Sequence, residues 1–137
     1  MRRVLIVDDC AIFRRSLRAI LNACPEWGIC GEAENAEHAA RLAEEVSPDA
    51  VVMDISMPGI SGLEAIGHIR CKAPQLKIVI ASLHESRQLI ESVLGAGASG
   101  YVVKSMADSD LVNALNTVVA GRVYVSPALA RALPAHA

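Results

Sequence analysis

Asp8, Asp9, Asp54, Ser82 and Lys104 are the residues of this 137-residue chain whose types and placing could do chemistry together. Each closes or follows a short apolar run. Val4-Leu5-Ile6-Val7 ends in Asp8-Asp9, Val51-Val52-Met53 in Asp54, Ile78-Val79-Ile80-Ala81 in Ser82, and Tyr101-Val102-Val103 in Lys104. Runs of this length between turn signals read as buried strands, and open α/β sheets collect ligands at the carboxyl ends of their strands. Carboxylates crowded in a partly dry cleft repel one another, so the cluster calls for a proton or a cation. An all-oxygen donor set suits a hard divalent ion such as Mg²⁺, which keeps several waters and takes carboxylates together with phosphate oxygens. Beside such an ion an aspartate can attack phosphorus and form an acyl phosphate. A lysine then offers a compact charge to one phosphoryl oxygen and a serine hydroxyl a hydrogen bond to another. Singly, each residue has a plainer explanation: an aspartate pairing with lysine, a solvated lysine, a serine capping toward Glu85. Their joint occurrence at strand ends is what argues for a site.

The elements that must position them alternate along the chain. Phe13, Leu17, Ile20 and Leu21 form one face of a helix over 11–23, with Arg14, Arg15 and Arg18 mostly off it. Residues 27–31 make a weak strand. Asn35 caps a helix carrying Ala36, Ala39, Ala40, Ala43 and Val46, which Ser47-Pro48 stops. After the strand that delivers Asp54, a Pro58-Gly59 turn leads the chain away. Ser61-Gly62-Leu63-Glu64 has the form of a capping box opening the next helix, and Ser105-Met106-Ala107-Asp108 repeats that form before the last one. Between them lie a strand over 77–81, a helix over 85–94 and a return through Gly95, Gly97 and Gly100. Five β-α repeats at spacings too short for hairpins predict a doubly wound α/β fold: a parallel sheet with helices on both faces.

Composition narrows the function. Aromatic residues make up 3% of the chain and hydrophobic residues 53%, so the core is aliphatic. A formal net charge of −2 argues against a protein whose main task is neutralising nucleic-acid phosphates. No apolar window is long enough for a membrane span, and Met1-Arg2-Arg3 runs into too short an apolar stretch for a signal peptide. A cytoplasmic location is expected, without membrane contact. Cys10, Cys24, Cys30 and Cys71 show neither zinc-type nor disulfide-framework spacing and read as plain thiols.

The blocks "VLIVDD", "VVMDISMPGISGLEAI", "VIASLHE" and "GASGYVVKS" resemble, in order and spacing, the signature blocks of the receiver domain of two-component response regulators. "LHES" and "AGRVYVSPALARAL" are similar to the NarL/FixJ subfamily. The resemblance implies a flavodoxin-like (βα)5 sheet of strand order 2-1-3-4-5, with residues 1–121 as the receiver domain. It implies that Asp54 is the phosphoacceptor, and that Asp8, Asp9, Asp54 and the main-chain carbonyl of Ser56 hold Mg²⁺. Ser82 and Lys104 would bind the phosphoryl group, and Tyr101 would serve with Ser82 as the switch. Its partners would be a histidine kinase and, on phosphorylation, a second copy of the chain. Residues 122–137 are expected to begin a linker, with DNA bound only through a helix-turn-helix domain that this chain does not contain. Such a protein is no general enzyme; it catalyses only its own phosphorylation and dephosphorylation. A stand-alone receiver in a phosphorelay is one alternative. A Mg²⁺-dependent phosphohydrolase with an aspartyl nucleophile is another, weakened because its second acid-base aspartate would fall at Ser56. Two departures from the family stand out: Leu83 is bulkier than the usual residue after the hydroxyl, and Ser105 replaces a common proline.

Overall fold

A computed structural model describes residues 2–56 and 59–130. The elements alternate as the spacing predicts: β1 (Arg2–Val7), α1 (Ala11–Asn22), β2 (Trp27–Ala33), α2 (Ala36–Val46), β3 (Ala50–Met53), α3 (Gly62–Lys72), β4 (Lys77–Ser82), α4 (Arg87–Gly95), β5 (Gly100–Val103) and α5 (Ala107–Val119). Two short elements follow, β6 (Tyr124–Val125) and α6 (Pro127–Ala130). All strand pairs are parallel, and the sheet order is β2-β1-β3-β4-β5-β6. The order expected for five strands is therefore present, and the tail adds a sixth beside β5. The Met57-Pro58 part of the turn after Asp54, and residues 131–137 of the tail, lie outside the described residues.

Period-two alternation divides the strands between two cores. Val4, Ile6, Ala50, Val52, Val79, Ala81 and Val102 face α1 and α5, where Leu17, Leu21, Leu111 and Leu115 meet them. Leu5, Val7, Val51, Met53, Ile78, Ile80, Tyr101 and Val103 face α2, α3 and α4, meeting Ala39, Ala43, Ile66, Ile69, Ile90 and Val93. Each such buried Val, Leu, Ile or Met side chain contributes about 1.5–3 kcal/mol by leaving water. Because neighbouring residues point to opposite faces, a one-residue slip would turn both cores out at once. The register that brings Asp8 beside Asp54 is protected in this way.

Strand β2 is longer than its weak signal suggested, and its register explains the weakness. Val4 pairs with Ile29 and Leu5 with Gly31, so Cys30 is an extra residue that breaks the alternation. Its Sγ donates to the Val4 carbonyl at 3.4 Å. Burial pushes the Cys30 thiol pKa up from its ordinary value, as expected for an unreactive packing residue.

The helix caps agree with the sequence at two places and differ at one. Asn35 Oδ1 accepts from the His38 N–H at 2.8 Å, and Ser61 Oγ accepts from the Glu64 N–H at 3.2 Å. Ser105 caps nothing. Lys104–Met106 form a 3-10 turn, α5 starts at Ala107, and its N-cap position is Met106, with no side-chain cap. The tight turn moves the start of the helix past the Ser-x-x-Asp pattern, and Asp108 and Asp110 supply negative charge in the first turn instead.

Candidate functional site

Main-chain bonds put the acidic residues together. Val7 pairs with Met53 across β1 and β3, the Asp54 N–H donates to the Val7 carbonyl at 2.9 Å, and the Asp8 N–H donates to Ala33 at 3.0 Å. Asp8 and Asp54 therefore emerge side by side at the carboxyl edge of the sheet, at 1% and 7% exposure, with Asp9 exposed beside them. One carboxylate oxygen from each of Asp8, Asp9 and Asp54 lies within 4.8 Å of the others. Lys104, carried at the end of β5, reaches both buried members: its Nζ is 2.9 Å from Asp8 Oδ2 and 3.5 Å from Asp54 Oδ1.

The carboxylates are otherwise sparingly satisfied. Asp8 Oδ1 accepts from the Cys10 N–H at 2.8 Å, which fixes the start of α1 against the site. Asp8 Oδ2 is buried with no hydrogen bond, only the ion-pair contact with Lys104. Asp54 Oδ1 accepts from the Ser56 N–H at 3.3 Å. Among the described residues one ammonium thus pairs with two members of a three-carboxylate cluster, and Asp8 Oδ2 has no partner but that ammonium. The oxygen-only donor set and the incomplete pairing fit a hard divalent ion.

The loop after Asp54 is held by a close approach. A Cβ on Gly62, the first residue of α3, would lie 2.6 Å from the Ile55 carbonyl oxygen and closer still to the Ile55 side chain. Only glycine lets α3 start that near to the loop after Asp54.

Ser82 and Tyr101 meet through one residue. Ser82 is buried, and its Oγ accepts from the His84 N–H at 3.1 Å, not from a residue of α4. The Tyr101 hydroxyl donates to the His84 carbonyl at 2.8 Å, and the ring is wholly buried against the α2–α4 side of the sheet. Burial raises the pKa of this phenol, the Ser82 hydroxyl works in the opposite sense, and the negative charges of Asp54 and Glu85 add to the rise. Leu83 is 73% exposed, so the bulky residue after the hydroxyl stands out into solvent beside the site.

Two residues of α1 meet partners that their spacing does not reveal. Phe13 packs on the inward face of α1 as its spacing predicts, and its ring also lies under the Lys104 ammonium, 4.2 Å from Nζ to the ring centroid. Arg14, mostly off the apolar face of α1, donates from Nη1 to the Asp8 carbonyl and pairs with Glu32 at 3.4 Å. A helical wheel gives the face a residue occupies but not the partner it meets from a distant strand.

Comparison with known proteins agrees with this geometry. A family model for the response regulator receiver domain matches residues 4–116. The transcriptional regulatory protein DegU of Brevibacillus brevis is 34% identical over 91% of this chain and 53% of its own length. The nitrate/nitrite response regulator protein NarL of Escherichia coli K12 is 34% identical over 96% of this chain and 61% of its own length. The chain thus spans less than two thirds of these relatives. Among solved structures, a LuxR-family two-component response regulator from Aurantimonas superposes with a TM-score of 0.89 at 39% identity, covering 94% of this chain and 92% of that one. The isolated receiver domain of RcsB from Salmonella enterica, determined with the phosphomimetic BeF3⁻, gives 0.88 at 25% identity, over 97% and 99% of the two chains.

Proposed function

This chain belongs to the response regulator receiver domain family, and from that premise we propose that it is a phosphorylation switch whose phosphoacceptor is Asp54. The observation that carries the reading is the Lys104 ammonium lying between Asp8 and Asp54 at the mouth of a three-carboxylate cluster. The donor would be the phosphohistidine of a histidine kinase. A carboxylate oxygen of Asp54 attacks phosphorus, the P–N bond breaks, and the imidazole leaves with its electron pair and takes up a proton. Lys104 offers its charge to one phosphoryl oxygen and Ser82 its hydroxyl to another. Asp8, Asp9, Asp54 and the Ser56 carbonyl would hold Mg²⁺, which when bound offsets the charge gathering on the phosphoryl oxygens.

The output follows the same residues. Ser82 and Tyr101 share the His84 backbone, so a hydroxyl drawn toward a phosphoryl group alters the loop that anchors the Tyr101 phenol. That contact biases the surface of α4, β5 and α5 between two arrangements, and self-association through it is the expected consequence. Residues 1–121 form the receiver domain, and the segment beyond leads toward an output domain. NarL and DegU are named as response and transcriptional regulators, which supports transcription control through a DNA-binding domain outside this chain. The only chemistry required of the chain itself is its own phosphorylation and dephosphorylation. It has no helix long and apolar enough to cross a membrane among the described residues, and its place of action is proposed as the cytoplasm.

Incubation with acetyl phosphate and Mg²⁺, followed by intact-mass measurement, tests the reading. Wild type is expected to gain one phosphoryl mass, while Asp54→Asn and EDTA-treated wild type stay unmodified. A phosphorylated Asp54→Asn protein would overturn the assignment.

A further inference from the structure

We propose that Phe13 is a positioning residue for Lys104, its ring holding the ammonium over the phosphoacceptor by a cation–π contact. The inference rests on the reading of Lys104 as a phosphoryl ligand. Three groups hold the lysine head: Asp8 Oδ2 at 2.9 Å, Asp54 Oδ1 at 3.5 Å and the Phe13 ring at 4.2 Å from its centroid. The side chain is only 10% exposed, so water supplies little of its solvation. Desolvation is the condition under which a cation–π contact is strongest.

The three partners differ in what becomes of them during the reaction. Asp8 is shared with the metal, and Asp54 gives up a carboxylate oxygen to phosphorus, so both weaken as anchors of Lys104 when it is needed. The ring is unaffected by either event. It is also neutral, so it neither adds to a site already rich in negative charge nor competes for the metal or the phosphoryl group. A lysine on a four-carbon stem loses rotamer freedom to reach one geometry, and a partner present in every state makes that cost smaller. Phe13 lies in the first turn of α1, which the Cys10 N–H ties to Asp8 Oδ1, so the ring and the metal-side carboxylate are set by the same helix start.

A mutant cycle on the whole chain tests this, with the rate of acetyl phosphate labelling in Mg²⁺ and the proton shifts of Lys104 as readouts. Loss of the ring in Phe13→Leu is expected to slow labelling roughly three- to thirty-fold. Phe13→Tyr, which keeps the ring face, restores the rate. In a Lys104→Met background Phe13→Leu makes no further difference. The Lys104 ε-methylene protons are expected to be shifted upfield by the ring current in wild type and Phe13→Tyr, and to return to ordinary values in Phe13→Leu. Should Phe13→Leu fail to fold, Phe13→Met takes its place. Equal slowing in the Lys104→Met background, or unshifted Lys104 protons in wild type, would overturn the proposal. Wild type that takes no label but keeps the ring-current shift would instead count against the phosphoacceptor reading and leave the contact standing.

Discussion

At the residue scale the site is a problem of unequal charge. Asp8 is buried with one oxygen on the Cys10 N–H and the other on Lys104 alone. Removing the ammonium strands a buried carboxylate, and breaking a buried pair from one side costs about 3 kcal/mol or more. Lys104→Met is therefore expected to lower the urea midpoint markedly without metal. Mg²⁺ should recover more stability in the variant than in wild type, because the ion replaces the missing positive charge. Equal recovery in the two proteins would show that the ion does not bind next to Asp8. Asp8, Asp9, Asp54, Ser82 and Lys104 were legible in the sequence because each sits where an apolar run stops, and a run's end can be seen without knowing the fold. Phe13 was not. Its spacing says that it faces inward, whereas its meeting with Lys104 depends on the packing of α1 against the end of β5, which no local pattern encodes.

At the element scale, what decides whether a helix begins where its motif suggests is the backbone just before it. Ser61-x-x-Glu64 and Ser105-x-x-Asp108 are the same pattern in sequence. Ser61 has extended geometry, φ −64° and ψ 159°, and its hydroxyl closes the first turn of α3. Ser105 sits inside a 3-10 turn that follows β5 directly, and its hydroxyl is left at the surface. Ser61→Ala is expected to cost about 1 kcal/mol in equilibrium unfolding, while Ser105→Ala should stay within about 0.5 kcal/mol of wild type. A comparable loss at both positions would mean that the serine near Lys104 has a partner in solution that the fold does not give it. The strand signals proved more dependable than the caps, because a strand buried on both faces must be apolar throughout. β2 is the exception, since its bulge at Cys30 and partly exposed residues blur the pattern.

At the scale of the whole molecule, the tail is the part the sequence disclosed least. A two-residue strand has no periodicity to read, and Arg122 to Pro127 opens the stretch over 122–137 that reads as the beginning of a linker. In the fold this segment straps the free edge of the sheet. Val125 pairs with Tyr101, the Ser126 N–H donates to the Tyr101 carbonyl at 3.1 Å, Ser126 Oγ accepts from the Val103 N–H at 3.3 Å, and Leu129 is buried beyond it. The strap therefore grips the main chain of the proposed switch residue and of the residue before Lys104, so site and outgoing chain share one strand. Burial raises the pKa of Tyr101, and burial followed by the Asp110 carboxylate raises that of Tyr124 on the strap itself. A phenol whose pKa is higher folded than unfolded holds its proton more tightly in the folded state. Its contribution to stability is complete below the ordinary value of about 10 and is lost as pH rises through the raised folded values. Unfolding midpoints compared at about pH 8 and pH 11 should thus fall more steeply for wild type than for Tyr124→Phe, with Asp54 labelling at neutral pH unchanged in the variant. Parallel falls in the two proteins would mean that Tyr124 is as free to ionise in the folded state as in the unfolded chain, and that the strap does not close the edge in solution.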